Sequence, residues 1–438
     1  MFMHAPIKVM DVELSRPIET LTGLEAYPRV KLLVRLHGTP IGYIILLTEN
    51  GTCPRGMIVN AVFDQHGSTI VRHVARQGLM NPVPGEGLSL HALLNLTGPQ
   101  LSLPHAPPLV TVAVCTRDRT DNLALCLDSL TRLNYLRLDV LVIDNAPSTE
   151  STCALMVDRF PQFRYVCESR PGLDWARNRA IAESAGEIIA FADDDVIVDI
   201  EWVAALARAF TEDESIMAVT GLVVPFELET DAQILFEDYG GFGKGFERTW
   251  FQTDRRVDRN IAMMHGWAGK FGTGANMAFR LKLFEQIGPF DPALDVGTVT
   301  NGGGDIEMFF RVLKEGHTLL YEPAAIVRHR HRRDYASLRR QIVNNGIGFT
   351  SYMVRSSLHH PKERLAFLRL AWIWLRTWHW HRVIASFRGK NFFPRDLILG
   401  EFRGGFIGLP RYFQARRTAA QLRQMGKTSS VSPDGRVT

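Results

Sequence analysis

Leu109-Val-Thr-Val-Ala-Val-Cys115 decides the fold, because this almost continuous apolar run is followed directly by the polar residues Thr116-Arg-Asp-Arg119. Such a run predicts a strand that is buried on both faces. Two further apolar runs occupy residues 139–144 and 187–192, and leucines at helical spacing fill residues 121–133. Strands that alternate with helices in this way predict an α/β fold with a doubly wound, mostly parallel sheet.

Each of these strands ends in polar residues. Thr116 and Arg117 follow the first strand, Asp144 ends the second, and Asp193-Asp194-Asp195 follow the third. Asp144 alone is more typical of a helix cap than of a site. Adjacent carboxylates repel one another, and a hard divalent ion with oxygen ligands is the usual compensation. The triplet therefore predicts metal or substrate binding beyond the carboxyl ends of the strands.

Two later segments add candidate polar side chains. Pro171-Gly172 predicts a turn before a helix in which Arg177 and Asn178 face either an anion or the solvent. The run Asn301-Gly-Gly-Gly-Asp305-Ile-Glu307 predicts a loop that enters a helix with two carboxylates near its start. Asp305 is either the helix cap or a general base directed into a cleft.

Two histidines follow the last predicted strand segment. His329 and His331 lie at alternate positions after Tyr321-Glu-Pro, so in a strand they share one face. A lone histidine at such a position usually lies on the surface or fills space in the core. Near a carboxylate triplet, His329 is a candidate metal ligand.

The order of these elements resembles that of the family 2 glycosyltransferases of the GT-A fold, over roughly residues 109–335. Each motif is weak alone, and the specificity lies in the order of all six. They are Thr116-Arg117, Asp144, Arg177-Asn178, Asp193-Asp194-Asp195, Gly-Gly-Asp305-Ile-Glu307 and Tyr321-Glu-Pro…His329.

The resemblance implies a nucleotide-diphosphate sugar donor, with a UDP-sugar expected first, and Mg²⁺ or Mn²⁺ as cofactor. The donor-binding residues it implies are Thr116, Arg117, Asp144, Arg177, Asn178, Asp193 and Asp194. The implied metal ligands are Asp193, Asp195 and His329. Asp305 matches the catalytic base of the family, and Glu307 is a second candidate because Gly304 stands where relatives often carry the first residue of an acidic pair.

The chemistry agrees with these roles. A sugar hydroxyl is a poor nucleophile near neutral pH, so a carboxylate has to accept its proton. A divalent ion stabilises the charge that develops on the leaving diphosphate. One base and one metal suffice for a single displacement with inversion. Because the chain lacks the Q-x-x-R-W signature of the processive synthases, we expect addition of one or a few sugars in polysaccharide or glycoconjugate synthesis.

The division of the chain follows composition. Residues 1–104 predict a small β-rich N-terminal domain without a chemical motif, with a hairpin at Gly38-Thr-Pro40, and residues 101–108 are a proline-rich linker. Residues 105–335 form the predicted α/β domain. Residues 336–425 predict a helical, basic, tryptophan-rich region, and residues 426–438 a disordered tail.

Amino-acid composition indicates the class of protein and its cellular compartment. The 438 residues are 46% hydrophobic and 22% charged, which is typical of a globular protein. Five cysteines without a C-x-x-C pair favour a reducing compartment, and no secretory signal or apolar run of spanning length is present. We therefore expect a cytoplasmic protein, with contact at the inner face of the membrane as an option.

Charge is unevenly distributed. Residues 335–438 carry 18 Lys and Arg against 4 Asp and Glu, a net charge of +14, so the preceding 334 residues carry −10 within the total of +4. The basic region is either a helical cap that closes the acceptor side or a peripheral membrane contact. The acceptor is unknown, a lipid-linked saccharide being one candidate, and no nucleic-acid partner is expected.

Two other functions fit parts of the sequence. A sugar nucleotidyltransferase usually has a glycine-rich, lysine-containing loop where this chain has Thr116-Arg-Asp-Arg119. A sugar-nucleotide or polysaccharide binding protein without catalysis would not need a complete set of candidate base and metal ligands. Both remain alternatives to glycosyl transfer.

Overall fold

The computed structural model describes residues 5–80, 106–254, 261–387 and 393–428. The predicted linker at 101–108 and tail at 426–438 lie largely outside the described residues. Strands are β1 (Ile7–Glu13), β2 (Arg29–Leu36), β3 (Thr39–Leu47), β4 (Val110–Thr116), β5 (Leu138–Asn145), β6 (Arg164–Glu168), β7 (Ile188–Asp193), β8 (Val196–Val198), β9 (Ile216–Pro225), β10 (Thr249–Phe251), β11 (Asn276–Arg280) and β12 (Thr318–His329). The α-helices are Arg55–Met80, Thr120–Leu130, Ser151–Arg159, Leu173–Glu183, Trp202–Glu212, Asp231–Tyr239, Ile261–His265, Leu283–Ile287, Gly304–Lys314, Tyr335–His359, Arg364–Ile373, His381–Phe387 and Arg395–Thr428; a π-helical stretch spans Trp374–Trp380, and short 3₁₀ turns span Ala268–Lys270 and Pro361–Glu363.

A central sheet organises the α/β part of the chain. Nine of the described strands join it in the order β10-β12-β9-β11-β7-β4-β5-β6, with β8 paired to β12. The longer pairings are parallel, namely β4 with β5 and β7, β5 with β6, and β9 with β12. β11 is antiparallel between β7 and β9. Apolar clusters lie on both faces of the sheet, so the predicted doubly wound, mostly parallel sheet is confirmed.

The strand register brings the predicted polar residues to one edge of this sheet. Thr116 pairs with Asp144 across β4 and β5, and Cys115 pairs with Asp193 across β4 and β7. Each pairing is parallel, so the three carboxyl ends meet at the same edge. The candidate site begins at this edge.

The N-terminal part is a three-stranded sheet with one long helix. β1, β2 and β3 form the sheet, which confirms the β-rich prediction. The helix Arg55–Met80, however, contradicts the expectation of strands and turns only, and it buries Ile58, Val62, Ile70 and Val74 against the sheet. This unit packs on the central sheet, where Arg35 Nη1 lies 2.7 Å from Asp199 Oδ2.

The C-terminal region is helical, as predicted, and packs near the carboxyl edge of the sheet. The helices Tyr335–His359 and Arg395–Thr428 approach closely at glycines, since a Cβ on Gly346 would lie 2.3 Å from the Glu401 carbonyl oxygen. Phe367 and Leu370 join the core beneath the helix Gly304–Lys314. None of the helices in the described ranges is long and apolar enough to cross a membrane.

Candidate active site

Two adjoining cavities lie at the carboxyl edge of the sheet. The first, of about 640 Å³ and called here the strand-end cavity, extends beyond β4, β5 and β7. The second, of about 610 Å³ and called the cap cavity, lies between the α/β part and the C-terminal helices. Asp193, Phe242, Asn301 and Asn344 line both cavities. A ligand in the strand-end cavity can therefore reach a second ligand in the cap cavity at Asp193.

The predicted site residues divide between the two cavities. Thr116, Arg117, Asp193, Asp194, Asp195 and His329 line the strand-end cavity. Arg177, Asp193 and Asp305 line the cap cavity. Apart from Arg177, the cavity-lining residues predicted for the donor and the metal lie in the strand-end cavity, whereas the predicted base lies in the cap cavity. Asp193 alone of the predicted set lines both.

Asp194 is bound to the first strand. Its Oδ2 accepts a hydrogen bond from Thr116 Oγ1 at 2.8 Å, and its Oδ1 accepts one from Arg119 Nη1 at 2.6 Å. Burial raises the pKa of Asp194 to about 7 despite the attraction of Arg119. The Asp194 side chain therefore links the turn Asp193-Asp194-Asp195 to the end of β4.

Asp195 is held by two arginines and one histidine. Arg119 Nη2 lies 2.7 Å and Arg332 Nη1 3.5 Å from its Oδ2, while His329 Nε2 lies 3.3 Å from its Oδ1. Burial alone would raise the pKa of Asp195, but attraction to His329 and Arg119 outweighs burial and holds the pKa below its usual range. Asp195 is the most firmly anionic member of the triplet.

His329 is positioned by a chain of hydrogen bonds that reaches the N-terminal sheet. Its Nδ1 lies 3.0 Å from Nδ1 of His331, whose Nε2 lies 3.1 Å from Glu237 Oε1. Glu237 Oε2 in turn accepts a hydrogen bond from Lys31 Nζ at 2.8 Å. The N-terminal unit thus helps to fix the ring beside Asp195.

Asp193 differs from its two neighbours because its carboxylate makes no hydrogen bond or ion pair with the described residues. Burial raises its pKa, and the nearby charge of Asp195 adds to this effect. Across the described ranges, no three His, Cys, Asp or Glu side chains converge as a ready-made metal site. Mg²⁺ is commonly bound by one or two carboxylates together with substrate phosphates. Asp193 and Asp195 fit that kind of site, in which the substrate completes the shell.

Asp305 is oriented by backbone amides at the start of the helix Gly304–Lys314. Its Oδ2 accepts a hydrogen bond from Gly274 N at 2.8 Å, and its Oδ1 accepts one from Ile306 N at 2.9 Å. Gly303, not Asp305, is the N-cap residue, so the cap interpretation of Asp305 is wrong. A half-buried carboxylate held this way can accept a proton from a group in the cap cavity.

Position 304, directly before Asp305, is a glycine for a steric reason. A Cβ on Gly304 would lie 2.0 Å from Oδ2 of the buried Asp174. Arg177 Nη1 donates to Asp174 Oδ1 at 3.0 Å, and burial raises the pKa of Asp174 to about 7. A carboxylate from another helix therefore occupies the space of the missing side chain.

Glu307 is not a candidate base in this structure. Its side chain is fully buried and forms ion pairs with Arg311, at 2.6 Å, and with Arg355. It lines neither cavity among the described residues. Glu307 joins two helices, and this geometry does not support a role as the base, so the assignment of the base to Asp305 stays a prediction.

Two predicted donor residues lie behind the cavity walls. Asn178 donates to the Phe290 carbonyl and accepts from the Phe290 amide, each at 2.9 Å, so both ends of its side-chain amide fix the backbone. Asp144 is buried and accepts a hydrogen bond from Tyr165 Oη at 2.9 Å. Its neighbour Asn145 lines the strand-end cavity instead. The geometry does not support a donor contact by Asn178, and that of Asp144 stays a prediction.

Several site residues were not anticipated from the sequence. Arg119, Arg332 and Arg340 line the strand-end cavity, and Lys244 lines the cap cavity. Arg119 belongs to the segment Thr116-Arg-Asp-Arg119 at the end of β4, and a polar residue at that position indicates a site residue. Lys244 lies in the glycine-rich loop Gly240-Gly-Phe-Gly-Lys-Gly245, and that composition is the sequence signal for this residue.

Part of the chain matches a known protein family. Residues 111–288 match the sequence profile of the family described as Glycosyl transferase family 2. This part of the chain is similar to the family 2 glycosyltransferases. The match spans β4 to the helix Leu283–Ile287, and so includes the strand ends and the aspartate triplet, while Asp305 and His329 follow it. The resemblance inferred from the ordered motifs is thereby confirmed.

Individual relatives of this glycosyltransferase domain are distant. Polypeptide N-acetylgalactosaminyltransferase 5 of Caenorhabditis elegans is 24% identical over 57% of this chain and 38% of its own length. Glucosyl-dolichyl phosphate glucuronosyltransferase of Haloferax volcanii is 21% identical over 50% of this chain and 69% of its own. The chain thus spans well under half the length of the first of these relatives.

One solved structure is similar to this chain at low identity. A mannosyltransferase from Pyrobaculum calidifontis, in complex with GDP-mannose and Mn²⁺, is 15% identical with a TM-score of 0.41. The alignment covers 86% of this chain and 92% of that one.

Proposed function

We propose that this chain transfers a glycosyl group from a nucleotide-diphosphate sugar to an acceptor hydroxyl, with a divalent metal ion, by a single displacement with inversion. One observation carries the proposal: Asp193 lies where a cavity lined by Asp194, Asp195 and His329 meets a cavity lined by Asp305. Donor and acceptor would meet at that junction. A UDP-sugar is the donor we expect, and the role is in polysaccharide or glycoconjugate synthesis.

The roles of the residues follow from their positions. Asp305 accepts the proton of the acceptor hydroxyl as that oxygen bonds to the anomeric carbon. The bond from the anomeric carbon to the diphosphate breaks, and its electron pair leaves with the diphosphate. Attack from the Asp305 side, opposite the leaving group, inverts the anomeric configuration.

Charge in the strand-end cavity suits a diphosphate. Arg119, Arg332 and Arg340 line this cavity together with the aspartates, and guanidinium groups bind phosphate oxygens in a bidentate manner. Asp193 and Asp195 would hold a divalent ion, with His329 beside Asp195. Such an ion, when bound, acts as a Lewis acid on the leaving diphosphate.

Donor binding is the direct test. The purified chain should be stabilised thermally by UDP or a UDP-sugar only when Mn²⁺ or Mg²⁺ is present, because a ligand that binds the native state raises its melting temperature. Incubation with the stabilising sugar nucleotide should slowly release free nucleoside diphosphate. A chain that is stabilised but never releases diphosphate, with any acceptor, would be a binding protein.

We also propose that the C-terminal helices contact an anionic membrane surface. On the helix Arg364–Ile373 the exposed apolar residues Leu365, Leu368 and Trp372 lie at helical spacing, and Arg369 lies among them. On the helix Arg395–Thr428, Leu399, Phe406 and Phe413 repeat at seven-residue spacing. Apolar and aromatic side chains mixed with arginines are typical of interfacial helices.

Vesicle binding tests this contact. The chain should sediment with phosphatidylserine-containing liposomes at physiological salt, and the double substitution L365E/W372E should reduce the bound fraction several-fold because it places two charges in the interface. Leu136→Glu is the matched control, since Leu136 is 97% exposed in the loop before β5. Equal binding of the double variant and this control would reject the proposed surface.

A further inference from the structure

The walls of the cap cavity are unusually aromatic. Trp267, Phe349 and Trp374 form a continuous arc, with ring centroids 5.6 Å apart for the first pair and 5.1 Å for the second. Tyr239 and Trp378 form a second group at 6.0 Å. All five rings line the cavity, and three of them come from the C-terminal helices.

The second aromatic group is held rigidly from behind. Glu401 accepts hydrogen bonds from Tyr239 Oη at 2.7 Å and from Trp378 Nε1 at 2.9 Å, and it pairs with Arg382 at 3.2 Å. The polar ends of both rings are therefore occupied. The Arg382 guanidinium lies over both rings, so what these side chains offer a ligand in the cavity is the ring surface that Arg382 leaves open, in a preorganised arrangement.

One cation in the cap cavity lacks a partner. The Lys244 ammonium makes no hydrogen bond or ion pair with the part of the chain that the structure describes, although the side chain is half-buried. Burial lowers its pKa, against the attraction of Asp305. Asp305 is close enough to attract this ammonium but forms no ion pair with it, so an anion bound directly beside Lys244 would offset part of the cost of burial.

We propose that the cap cavity is the acceptor subsite and that it takes a saccharide bearing an anionic group, whose sugar ring lies on the aromatic wall and whose phosphate or carboxylate lies at Lys244. The proposal rests on the proposed glycosyl transfer and specifies its acceptor. The C–H faces of a sugar ring are apolar and suit aromatic surfaces. The volume of about 610 Å³ is within the range of small-molecule sites.

Calorimetric titration with three probes tests the assignment. Glucose, glucose 1-phosphate and glucuronic acid are titrated into the protein in the presence of UDP and Mn²⁺. At least one anionic probe should bind roughly tenfold or more tightly than glucose, because a hydrogen bond to a charged group contributes about 1.5–3 kcal/mol. Preference for glucose 1-phosphate assigns the anion as phosphate, and preference for glucuronic acid assigns it as carboxylate.

Variants separate the two parts of the subsite. Lys244→Met should remove the preference for anions without changing the affinity for glucose, and Lys244→Arg should restore it. Trp378→Ala should weaken all three probes about fivefold, as expected for one lost stacking contact. The control is Trp372→Ala, because Trp372 is 59% exposed and does not line the cap cavity.

Each contrary result has a definite meaning. Equal affinity of the wild-type chain for all probes, or no binding of any probe, overturns the inference. Loss of UDP–Mn²⁺ stabilisation in Lys244→Met also overturns it, because the lysine would then belong to the donor. The proposed glycosyl transfer fails separately, if the wild-type chain binds and hydrolyses no sugar nucleotide.

Discussion

Replacing Asp305 with asparagine should reduce glycosyl transfer by roughly 10²- to 10⁴-fold, the usual contribution of a general base. The substitution keeps the size of the side chain, and the amide oxygen can still accept the hydrogen bond that Gly274 N now donates to Oδ2. The substitution removes the ability to take up a proton, together with the acceptor for the Ile306 N–H that now bonds to Oδ1. Initial rates with saturating donor and acceptor measure the loss, and stabilisation by UDP–Mn²⁺ should be unchanged.

Glu307→Gln is the matched comparison for Asp305→Asn. It leaves Arg311 and Arg355 without their buried carboxylate, and breaking a buried ion pair costs about 3–5 kcal/mol of unfolding free energy. We expect a lower melting temperature with turnover retained in the folded fraction. If Asp305→Asn turned over normally while Glu307→Gln stayed folded and inactive, the assignment of the base would be reversed.

Much of the α/β part could be predicted because its signals are local and repeated. The apolar run at 109–115 and the polar residues after each strand are read directly from the chain. Parallel register then follows, and it places Thr116 beside Asp144 and Cys115 beside Asp193. The sequence pattern and the geometry of the sheet therefore place these polar residues at the same edge of the sheet.

Other features depend on contacts between distant segments, which spacing alone does not reveal. Glu307 and Asp305 differ by two positions on one helix, so they lie on different sides, and only the position of Arg355 shows which side is buried. Lys244 belongs to a loop whose role depends on helices more than 100 residues later. Asn178 looks like an anion ligand until its Phe290 partner is known.

The missed N-terminal helix had a local signal that β-branched residues concealed. Ile58, Val62, Ile70 and Val74 are spaced for one helical face, and all four are buried. Their β-branched side chains favour strands when propensity is considered alone. Packing against β1–β3 outweighs that preference, since most of the stability of a helix in a protein comes from the burial of its apolar face.

Replacing Asp195 with alanine should abolish the response of the enzyme to Mn²⁺ or Mg²⁺ and lower kcat/KM by roughly 10²- to 10³-fold. Lewis-acid stabilisation of a leaving diphosphate amounts to several kcal/mol, and each 1.36 kcal/mol is a factor of ten in rate. Asp195 is the carboxylate that attraction to His329 and Arg119 keeps anionic. Turnover measured as a function of metal concentration gives the result.

A structural loss has to be separated from this metal effect, because Asp195 also neutralises Arg119, Arg332 and His329. Asp195→Asn retains the shape of the side chain and hydrogen-bonding oxygen, so it should preserve the melting temperature of the ligand-free protein better than the alanine variant. It should still lose UDP stabilisation by Mn²⁺, since a neutral amide is a weaker ligand for a hard dication. Asp158→Ala, at an exposed helix position remote from both cavities, should leave both quantities unchanged. An asparagine variant that keeps the full metal response would remove Asp195 from the metal site and leave Asp193 as the remaining carboxylate.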